Sequence, residues 1–260
     1  MNDLILVRQV VDIARQAGVA ILDIYENYDD VGIEQKSDNS PLTLADRNAN
    51  EVICKGLEAL EVRYPIVSEE NKAIAYEERK NYAYYWLVDP LDGTKEFIKR
   101  NGEFTVNIAL IHHQQVHMGV VYAPCLDEMY WAVKGRGAFC IKSGKEESLQ
   151  AKRFSMSDEH LNIVCSRSHL NEATQKFVAQ LSQPELVAKG SSLKFLSIAN
   201  GEAHIYPRLA PTMEWDTGAA QIILEEAGGS VINFESKQDL IYNKENLLNP
   251  HFVAYGQLIS

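Results

Sequence analysis

The chain has 260 residues, of which 46% are hydrophobic and 23% charged, and its formal net charge is −11. This composition is ordinary for a globular protein, and the length suits one large domain or two closely packed lobes. The negative charge argues against a nucleic-acid polymer as partner, because phosphate backbones are bound by basic surfaces. No uncharged apolar run approaches the ~20 residues of a transmembrane helix, so we expect no integral membrane segment.

The N-terminal segment and the cysteines indicate a cytoplasmic protein. The first 18 residues carry Asp3 and Arg8 within a helical apolar pattern and lack a small-residue cleavage site, so they predict an amphipathic helix and not a signal peptide. The four cysteines are widely spaced without a C-x-x-C pair, so reduced thiols are expected. Peripheral association with the inner membrane stays open, as does the choice between a monomer and a homodimer.

The first half of the chain is predicted to hold two helices followed by short strands. A polar loop at 36–46 separates the N-terminal helix from a second helix that begins at Asp46. Two strands separated by a polar turn are expected to pair as a hairpin near the middle of the chain. The six predicted strands are Ile66–Ser68, Tyr84–Val88, Thr105–Ile111, Val116–Tyr122, Met129–Val133 and Ala138–Lys142.

The second half alternates between predicted strands and helices, which indicates a layered α/β or α+β chain. A polar stretch between Ser143 and Ser157 predicts a boundary between an N-terminal α+β lobe (1–150) and a C-terminal α/β lobe (151–260). The predicted elements are strands Asn162–Cys165, Leu186–Ala188 and Ala203–Tyr206, and helices Glu172–Leu181, Ser192–Asn200 and one that starts near Trp215.

The segment WLVDPLDGTKEF, residues 86–97, holds the most informative pattern. An apolar strand is expected to deliver Asp89 at its end, where Pro90 stops the ladder, and Asp92 follows three residues later. Two carboxylates at this spacing, with the carbonyl of Leu91 between them, form a set of hard oxygen ligands that suits Mg²⁺. Gly93–Thr94 then opens a short helical segment whose N–H groups can hold an anion.

Each acidic feature also has a purely structural explanation. The residues of D-P-L-D-G are usual turn formers. Asp216 is predicted in the first turn of a helix, where a negative charge stabilises the helix dipole, and Glu69 follows a predicted strand. Taken together, these acidic positions favour a shared metal site over separate structural roles.

Three segments resemble the motifs of the inositol monophosphatase superfamily, whose members are metal-dependent, lithium-sensitive phosphatases. They are SEE (Ser68–Glu70), DPLDGT (Asp89–Thr94) and WDTGAA (Trp215–Ala220). Their order and separations match too, so the resemblance covers nearly the whole chain. It implies a layered αβαβα sandwich of the sugar-phosphatase type, with the metals between two lobes, and inhibition by lithium.

The same resemblance implies two Mg²⁺ ions in the site, and a third near Glu69 in several members of the superfamily. Glu69, Asp89 and the carbonyl of Leu91 correspond to the ligands of the first ion. Asp89, Asp92 and Asp216 correspond to the ligands of the second, so that Asp89 bridges the two.

By resemblance, Asp46 and Thr94 match the pair that orients and deprotonates the attacking water, and Glu69 is the third catalytic candidate. The scissile phosphate is expected at 91–94, where the N–H groups of Gly93 and Thr94 would offset its charge, with Glu69 and Asp216 beside it. The implied mechanism is in-line displacement without a covalent phosphoenzyme, in which one metal activates the water and the other stabilises the leaving oxygen.

Four further segments look like the bacterial 3′(2′),5′-bisphosphate nucleotidase branch of the superfamily. That branch converts adenosine 3′,5′-bisphosphate to AMP and phosphate, clearing a by-product of sulfate assimilation. By this resemblance Gly190, Ser191 and Lys194 lie near the nucleotide. The four segments are KSDNSPLTLAD (residues 36–46), GSSLKF (190–195), YPR (206–208) and LNP (248–250).

Positive charge for a second phosphate has four candidates, and an aromatic base could rest on Tyr206. Each candidate follows or lies near a predicted strand end, where ligands are commonly met. Each cation has an ordinary alternative as a solvated surface residue. The neighbouring serines, Ser191 and Ser192, have one as helix caps. The four cationic candidates are Arg167, His169, Lys194 and Arg208.

Other functions remain open from the sequence. An inositol monophosphatase would share the metal site but need no nucleobase site, whereas a fructose 1,6-bisphosphatase is disfavoured because the chain is short for that branch. A non-catalytic relative acting as a regulatory protein would be expected to lack a metal carboxylate or the Thr94 hydroxyl. Both are retained here, which favours an enzyme.

Overall fold

The computed structural model describes residues 2–27, 34–35, 41–166 and 171–259. Among these residues the α-helices are α1 (Asp3–Asn27), α2 (Leu44–Glu58), α3 (Tyr76–Arg79), α4 (Thr94–Ile98), α5 (Glu172–Val178), α6 (Leu193–Ala199) and α7 (Glu214–Glu226). The strands of the first half are β1 (Glu34–Gln35), β2 (Pro41–Leu42), β3 (Ile66–Ser68), β4 (Tyr84–Asp92), β5 (Thr105–His112), β6 (Gln115–Ala123), β7 (Glu128–Val133), β8 (Ala138–Lys142) and β9 (Lys145–Ser148). Those of the second half are β10 (Arg153–Phe154), β11 (Asn162–Cys165), β12 (Glu185–Ala188), β13 (Ile205–Arg208), β14 (Ser230–Asn233), β15 (Phe252–Tyr255) and β16 (Gln257–Leu258).

Strands β3 to β9 form a seven-stranded sheet in sequence order. β3 runs parallel to β4, and every later pair is antiparallel, including the predicted hairpin of β5 and β6. The edge strand β9 was not predicted. All four of its residues are exposed, and two of the first three are glutamates, so it lacks the apolar alternation by which a strand is recognised.

The second sheet has five strands in the order β12-β11-β13-β15-β14. β11 is parallel to β12 and β13, whereas β15 is antiparallel to both of its neighbours. β14 and β15 were not predicted, because each has only four residues and they are joined by a long irregular segment. A short strand of this kind is stabilised by neighbours that are distant in sequence, so its own residues give little signal.

Three hydrophobic cores separate five layers. One core lies between the helices α1 and α2 and one face of the seven-stranded sheet. A second joins the other face of that sheet to α6, α7 and the five-stranded sheet. The third covers the far face of the five-stranded sheet, where Phe177 and Val178 of α5 pack. This order of layers confirms the predicted αβαβα sandwich.

Several element boundaries differ from the prediction. β4 continues through Asp92 instead of ending before Asp89, α5 ends at Val178, and β13 runs from Ile205 to Arg208. Tyr206 therefore lies within β13, and Arg208 is its last residue. No helix among the described residues is long and apolar enough to cross a bilayer.

The division into two lobes near residue 150 stays a prediction. The seven-stranded sheet ends with β9 at Ser148, and β10 pairs with β16 near the C-terminus. However, α7 of the second half packs closely on β5 and β6 of the first half. The two halves therefore share their central layer of helices.

Candidate active site

An irregularity in β4 brings two of the acidic side chains to one face of the sheet. Asp89 pairs with Asn107, and Asp92 pairs with Thr105. Between these two pairs β4 advances by three residues whereas β5 advances by two. The extra residue is a β-bulge. Since alternate residues of a strand share a face, Asn107 and Thr105 do so, and the bulge puts their partners Asp89 and Asp92 on that face as well.

Pro90 does not stop the ladder, as the sequence had suggested. It lies inside the bulge, where its missing N–H removes no regular sheet hydrogen bond. The N–H of Leu91 donates to Asp89 Oδ1 at 3.1 Å, which fixes the turn of the chain between the two carboxylates. The carbonyl of Leu91 accepts from Thr94 Oγ1 at 3.4 Å.

Glu69 and Asp216 complete an acidic cluster with the two carboxylates of β4. Asp89 is buried, and burial followed by the nearby charges of Glu69, Asp92 and Asp216 raises its pKa well above the ordinary value. Burial and then the charge of Asp92 raise the pKa of Asp216 to about 8. Such mutual repulsion is relieved when a cation binds between the carboxylates.

The donor set fits magnesium. Four carboxylates and the carbonyl of Leu91 are hard oxygen ligands, which Mg²⁺ prefers. In the described part of the chain, no three acidic, histidine or cysteine side chains already form a closed metal cage. This is compatible with Mg²⁺, which keeps several waters and takes further oxygens from substrate phosphates.

The histidines of the β5–β6 hairpin form no such cage either. His112 stacks on Tyr84 with ring centroids 4.3 Å apart, and His117 Nε2 lies 3.1 Å from Asp3 Oδ2. Their contacts are structural, which agrees with the absence of a metal group among the described residues.

Asp46 and Thr94, which are 48 positions apart, meet beside the acidic cluster. Thr94 Oγ1 donates to Asp46 Oδ1 at 3.2 Å. The other oxygen, Oδ2, accepts from the N–H of Thr43 at 2.7 Å and from its hydroxyl at 2.5 Å, so the carboxylate is held at the start of α2. Asp46 thus caps a helix and contacts Thr94, which shows that the structural and the catalytic interpretations do not exclude one another.

Asp216 has the same position in α7 that Asp46 has in α2. It is the third helical residue, and its Oδ2 accepts from the N–H of Met213 at 2.9 Å. The side chain of Asn249, from the LNP segment, donates to the carbonyl of Met213 at 2.8 Å. The LNP segment therefore holds the start of the helix that carries Asp216.

Two serines of the segment before α6 contact Asp92 from the other half of the chain. Ser191 Oγ lies 2.7 Å and Ser192 Oγ 3.0 Å from Asp92 Oδ2. Ser191 adopts a left-handed backbone with φ of 49°, which is uncommon for a residue with a side chain. The sequence predicted Ser191 near the nucleotide, whereas its hydroxyl supports a candidate metal ligand. Whether it also contacts a nucleotide stays a prediction.

Thr105 and Asn107 were missed by the sequence analysis. Both are buried, and they link β5 to the two serines: Thr105 Oγ1 lies 2.6 Å from Ser191 Oγ, and Asn107 Nδ2 donates to Ser192 Oγ at 3.0 Å. The available signal was two polar residues at alternate positions in an otherwise apolar strand.

A cavity of about 390 Å³ adjoins the acidic cluster, within the roughly 300–1,000 Å³ of small-molecule sites. Its lining includes Gly93, Thr94, Gly190, Ser191 and Lys194, together with Asp92 and Asp216. The candidate phosphate residues and the candidate nucleotide residues therefore share one cavity. Of the cationic candidates, Arg167 and His169 lie outside the described residues.

Lys194 is buried in the wall of this cavity. Its ammonium donates to the carbonyl of Ser191 at 2.6 Å and lies 5.4 Å from the ring centre of Tyr206. Burial lowers its pKa to about 8. Gly190 is held from the first half of the chain, since its N–H donates to Glu103 Oε2 at 2.8 Å. The segment 190–194 thus joins the cavity wall to the candidate metal carboxylates.

The family described as the inositol monophosphatase family matches residues 6–259. The chain belongs to the inositol monophosphatase family. Its match spans both sheets and every segment of the acidic site.

Individual relatives in this family have a more specific description. The 3′(2′),5′-bisphosphate nucleotidase CysQ of Escherichia coli K12 is 44% identical over 245 residues, which cover 94% of this chain and 97% of the relative. The protein of the same name from Aggregatibacter actinomycetemcomitans is 38% identical over 250 residues. Both alignments run nearly the full length of each protein.

Solved structures of related proteins have the same fold. The crystal structure of CysQ from Bacteroides thetaiotaomicron, a bacterial member of the family, superposes with a TM-score of 0.85 at 42% identity and covers 96% of each chain. The extragenic suppressor protein SuhB from Bartonella henselae superposes with a TM-score of 0.78 at 24% identity, covering 96% of this chain and 93% of its own. The second likeness supports the fold alone.

Proposed function

We propose that this protein is a magnesium-dependent 3′(2′),5′-bisphosphate nucleotidase that hydrolyses adenosine 3′,5′-bisphosphate to AMP and phosphate. The observation that carries the proposal is the single cavity that runs from Asp92 and Thr94 to Lys194 and Arg208. Its lining combines the carboxylates of Asp92 and Asp216 with the cationic side chains of Lys194 and Arg208, as a substrate with one phosphate on a metal site and another on cationic side chains requires. The names of the relatives at 38–44% identity support the same substrate.

Each predicted site residue has a proposed role. Glu69, Asp89, Asp92, Asp216 and the carbonyl of Leu91 would hold two Mg²⁺ ions. When bound, Mg²⁺ supplies charge that offsets the phosphoryl oxygens and lowers the pKa of water. Metal titration counts the bound ions and tests for a third.

The protein's own groups would orient the reaction. The hydroxyl of Thr94 holds the attacking water in line, and Asp46, fixed through Thr43, accepts the proton that the water loses through this hydroxyl. The start of α4 follows Gly93, whose backbone is left-handed with φ of 95°. The N–H groups of Gly93 and Thr94 lie at this turn, and we assign them to the oxygens of the scissile phosphate.

Three finer features extend the proposal. Inhibition by lithium is expected if Li⁺ competes for a magnesium position. Removal of adenosine 3′,5′-bisphosphate, a nucleotide by-product, would link the enzyme to sulfate assimilation. We infer a small phosphate ester as substrate, since the net charge of −11 disfavours a nucleic-acid polymer. We also infer a cytoplasmic location, because the four widely spaced cysteines are expected to be reduced thiols.

Phosphate release by the purified protein tests the proposal. Adenosine 3′,5′-bisphosphate, inositol 1-phosphate and fructose 1,6-bisphosphate are compared with and without Mg²⁺, and with millimolar lithium. Release from the nucleotide that needs Mg²⁺ and falls with lithium is the expected result. Preference for inositol 1-phosphate would retain the metal chemistry and overturn the substrate, whereas release from none would favour a non-catalytic regulatory relative.

Substitution of the metal carboxylates tests the site itself. Asp89→Asn and Asp92→Asn each remove one negative charge from the cluster and keep the side-chain shape, so activity is expected to be lost while the circular dichroism spectrum stays native. Near-normal turnover by either folded variant contradicts the assignment.

A further inference from the structure

A second cavity, of about 590 Å³, lies between the segment that follows Glu69 and the start of α7. Its lining includes residues of both segments, namely Ala73, Ile74, Arg79, Met213 and Trp215. Atoms that face a cavity have no packing partners on that side. Packing at this point therefore does not fix the distance between the two segments, and with them Glu69 and Asp216.

A buried polar bridge joins the two segments through Asn243. Arg79, the last residue of α3, donates from Nη1 to Asn243 Oδ1 at 2.9 Å, and Asn243 Nδ2 donates back to the carbonyl of Arg79 at 2.8 Å. The N–H of Asn243 donates to Oε2 of Glu214, the first residue of α7, at 2.7 Å. All three residues are at most 5% exposed, so the contacts are shielded from competition by water.

The backbone of Asn243 suits this double contact. It is left-handed, with φ of 58°, a conformation that glycine adopts freely and that asparagine adopts more readily than most other residues. Glycine would keep the N–H that contacts Glu214 but would lose the amide that contacts Arg79. Asparagine supplies both contacts at this position.

The two charged ends of the bridge depend on the same short segment. Glu214 Oε1 accepts from Lys244 Nζ at 2.5 Å and from its N–H at 3.1 Å. Arg79 has no ion pair among the described residues, and its Nη2 donates to the carbonyl of Glu245 at 2.7 Å. A buried charge needs such polar partners. Without the side chain of Asn243, the buried guanidinium would lose one of its two acceptors.

We propose that Asn243 is a positioning residue of the metal site, which sets the separation between the segment after Glu69 and the helix that carries Asp216. This role rests on the proposed function, because it requires both carboxylates to hold Mg²⁺. Asn243 does not line the cavity beside the acidic cluster. It acts through Arg79 and Glu214, so its loss weakens metal binding and leaves the ligands themselves in place.

Magnesium titration of Asn243→Gly tests the proposal without turnover. Calorimetry with Mg²⁺ alone should find a dissociation constant about 3- to 10-fold above wild type, since groups that touch a ligand directly change it about 10- to 100-fold. Asn246→Gly is the matched control, because this exposed side chain accepts only from the N–H of Leu248, at 2.9 Å, among the described residues. Equal Mg²⁺ affinity in the two variants overturns the proposal.

Arg79→Lys breaks the same bridge from the other side. The ammonium keeps the buried charge but lacks the fork that reaches both Asn243 and Glu245. Its Mg²⁺ dissociation constant should rise by a factor similar to that of Asn243→Gly. The double variant should bind no more weakly than the weaker single variant, because both changes remove one shared contact. Effects that multiply would show that the two residues act separately, which contradicts the bridge.

Kinetics separates positioning from a general loss of structure. In Asn243→Gly the Mg²⁺ concentration for half-maximal activity should rise with the dissociation constant, while kcat at saturating Mg²⁺ stays within about threefold of wild type. A merely structural role would lower the unfolding temperature of the magnesium-free protein and leave Mg²⁺ affinity unchanged. That result, or a loss of kcat that excess Mg²⁺ does not restore, overturns the proposal.

The measurements distinguish this role from the proposed function. If wild type binds Mg²⁺ but cleaves none of the three phosphate esters, the proposed function fails and the calorimetry still decides the role of Asn243. If wild type binds no Mg²⁺, the metal site and the positioning role are both overturned.

Discussion

The hydroxyl of Ser191 lies 2.7 Å from Asp92 Oδ2, and the two residues are 99 positions apart. Ser192 Oγ approaches the same oxygen at 3.0 Å. Groups that orient a metal ligand typically change metal affinity about 10- to 100-fold when removed. A candidate metal ligand of the first half is thus positioned by the segment of the second half that lines the cavity.

Replacing these hydroxyls is expected to weaken magnesium binding. Ser191→Ala and Ser192→Ala should each raise the Mg²⁺ dissociation constant about tenfold, and the double variant more, because Asp92 loses the donors that fix its carboxylate. Titration calorimetry with Mg²⁺ alone measures this without turnover. Ser197→Ala is the control, since its buried hydroxyl donates to the carbonyl of Leu193 within α6 and has no other hydrogen bond among the described residues. Equal Mg²⁺ affinity in the double variant and the control would show that the contacts are incidental.

The contact between Thr94 and Asp46 predicts a graded loss of turnover. Thr94→Val and Asp46→Asn should lower kcat about 10²- to 10⁴-fold, the usual contribution of a positioned acid or base. Thr43→Val should lower it less, because the N–H of Thr43 still holds Asp46 Oδ2 at 2.7 Å. Steady-state kinetics with saturating Mg²⁺ gives the order. A larger loss for Thr43→Val than for Asp46→Asn contradicts the proposed proton acceptor.

The packing of α7 on the seven-stranded sheet depends on a glycine. A Cβ at Gly119 would lie 2.4 Å from the carbonyl oxygen of Ala219 and 2.5 Å from Ile222 Cγ2, so the helix must move. Gly119→Ala is expected to lower the free energy of unfolding by about 1–3 kcal/mol or more. It should also lower activity, because Asp216 lies on the displaced helix.

Gly218→Ala, on the helix itself, gives the comparison for this packing. The three atoms nearest to its Cβ would all belong to side chains, at 3.3–3.4 Å, and alanine favours helix over glycine by about 1 kcal/mol. Urea denaturation should therefore find a smaller loss than for Gly119→Ala. The reverse order would mean that the close approach of helix and sheet is not limiting.

Glu225 predicts a pH dependence of stability that is independent of the metal site. Burial raises its pKa from 4.5 to about 7, and Gln221 Nε2 donates to it at 2.7 Å. Lys134, Asp239 and Glu226 are the charges that act on it. Because the folded protein holds this proton more tightly than the unfolded chain, the contribution is full below pH 4.5 and is lost as pH rises through about 7.

Glu225→Gln removes this titration. Its unfolding temperature, relative to wild type, should rise from pH 4.5 to pH 8, since only wild type must then bury a charge. The difference between variant and wild type cancels contributions from Asp89 and Asp216, which titrate in both proteins. Thermal unfolding at three pH values, with Mg²⁺ held constant, measures it. A difference that does not change with pH would contradict the assignment.

The sequence singled out the acidic residues because their signals are local. DPLDGT and WDTGAA combine turn formers, a helix start and ligand chemistry within six residues each, and the contact between Asp46 and Thr94 followed from resemblance. The β-bulge was missed because Pro90 suggests the end of a strand, whereas pairing with Thr105 resumes the ladder at Asp92.

The supporting residues could not be predicted, because their contacts are long-range. Thr105 and Asn107 look like ordinary strand residues until the chain brings them to the serines before α6. Arg208 Nε and Thr212 Oγ1 are buried without a hydrogen-bond partner among the described residues, which is likewise a property of the folded cavity. Sequence alone could name Arg208 as one of several cations but gave no reason to choose it.

The packing of helix α7 determines which segments of the chain could be exchanged between relatives to change substrate preference. It begins beside Asp216, and its apolar residues share one core with Ala109 of β5 and Phe252 of β15. A chimera that joins the first half of one relative to the second half of another would therefore have to match two buried surfaces at once. Exchange of the short segments 189–192 and 208–212 leaves that shared core intact, so these segments, and not whole lobes, are the natural units for transplanting specificity within the family.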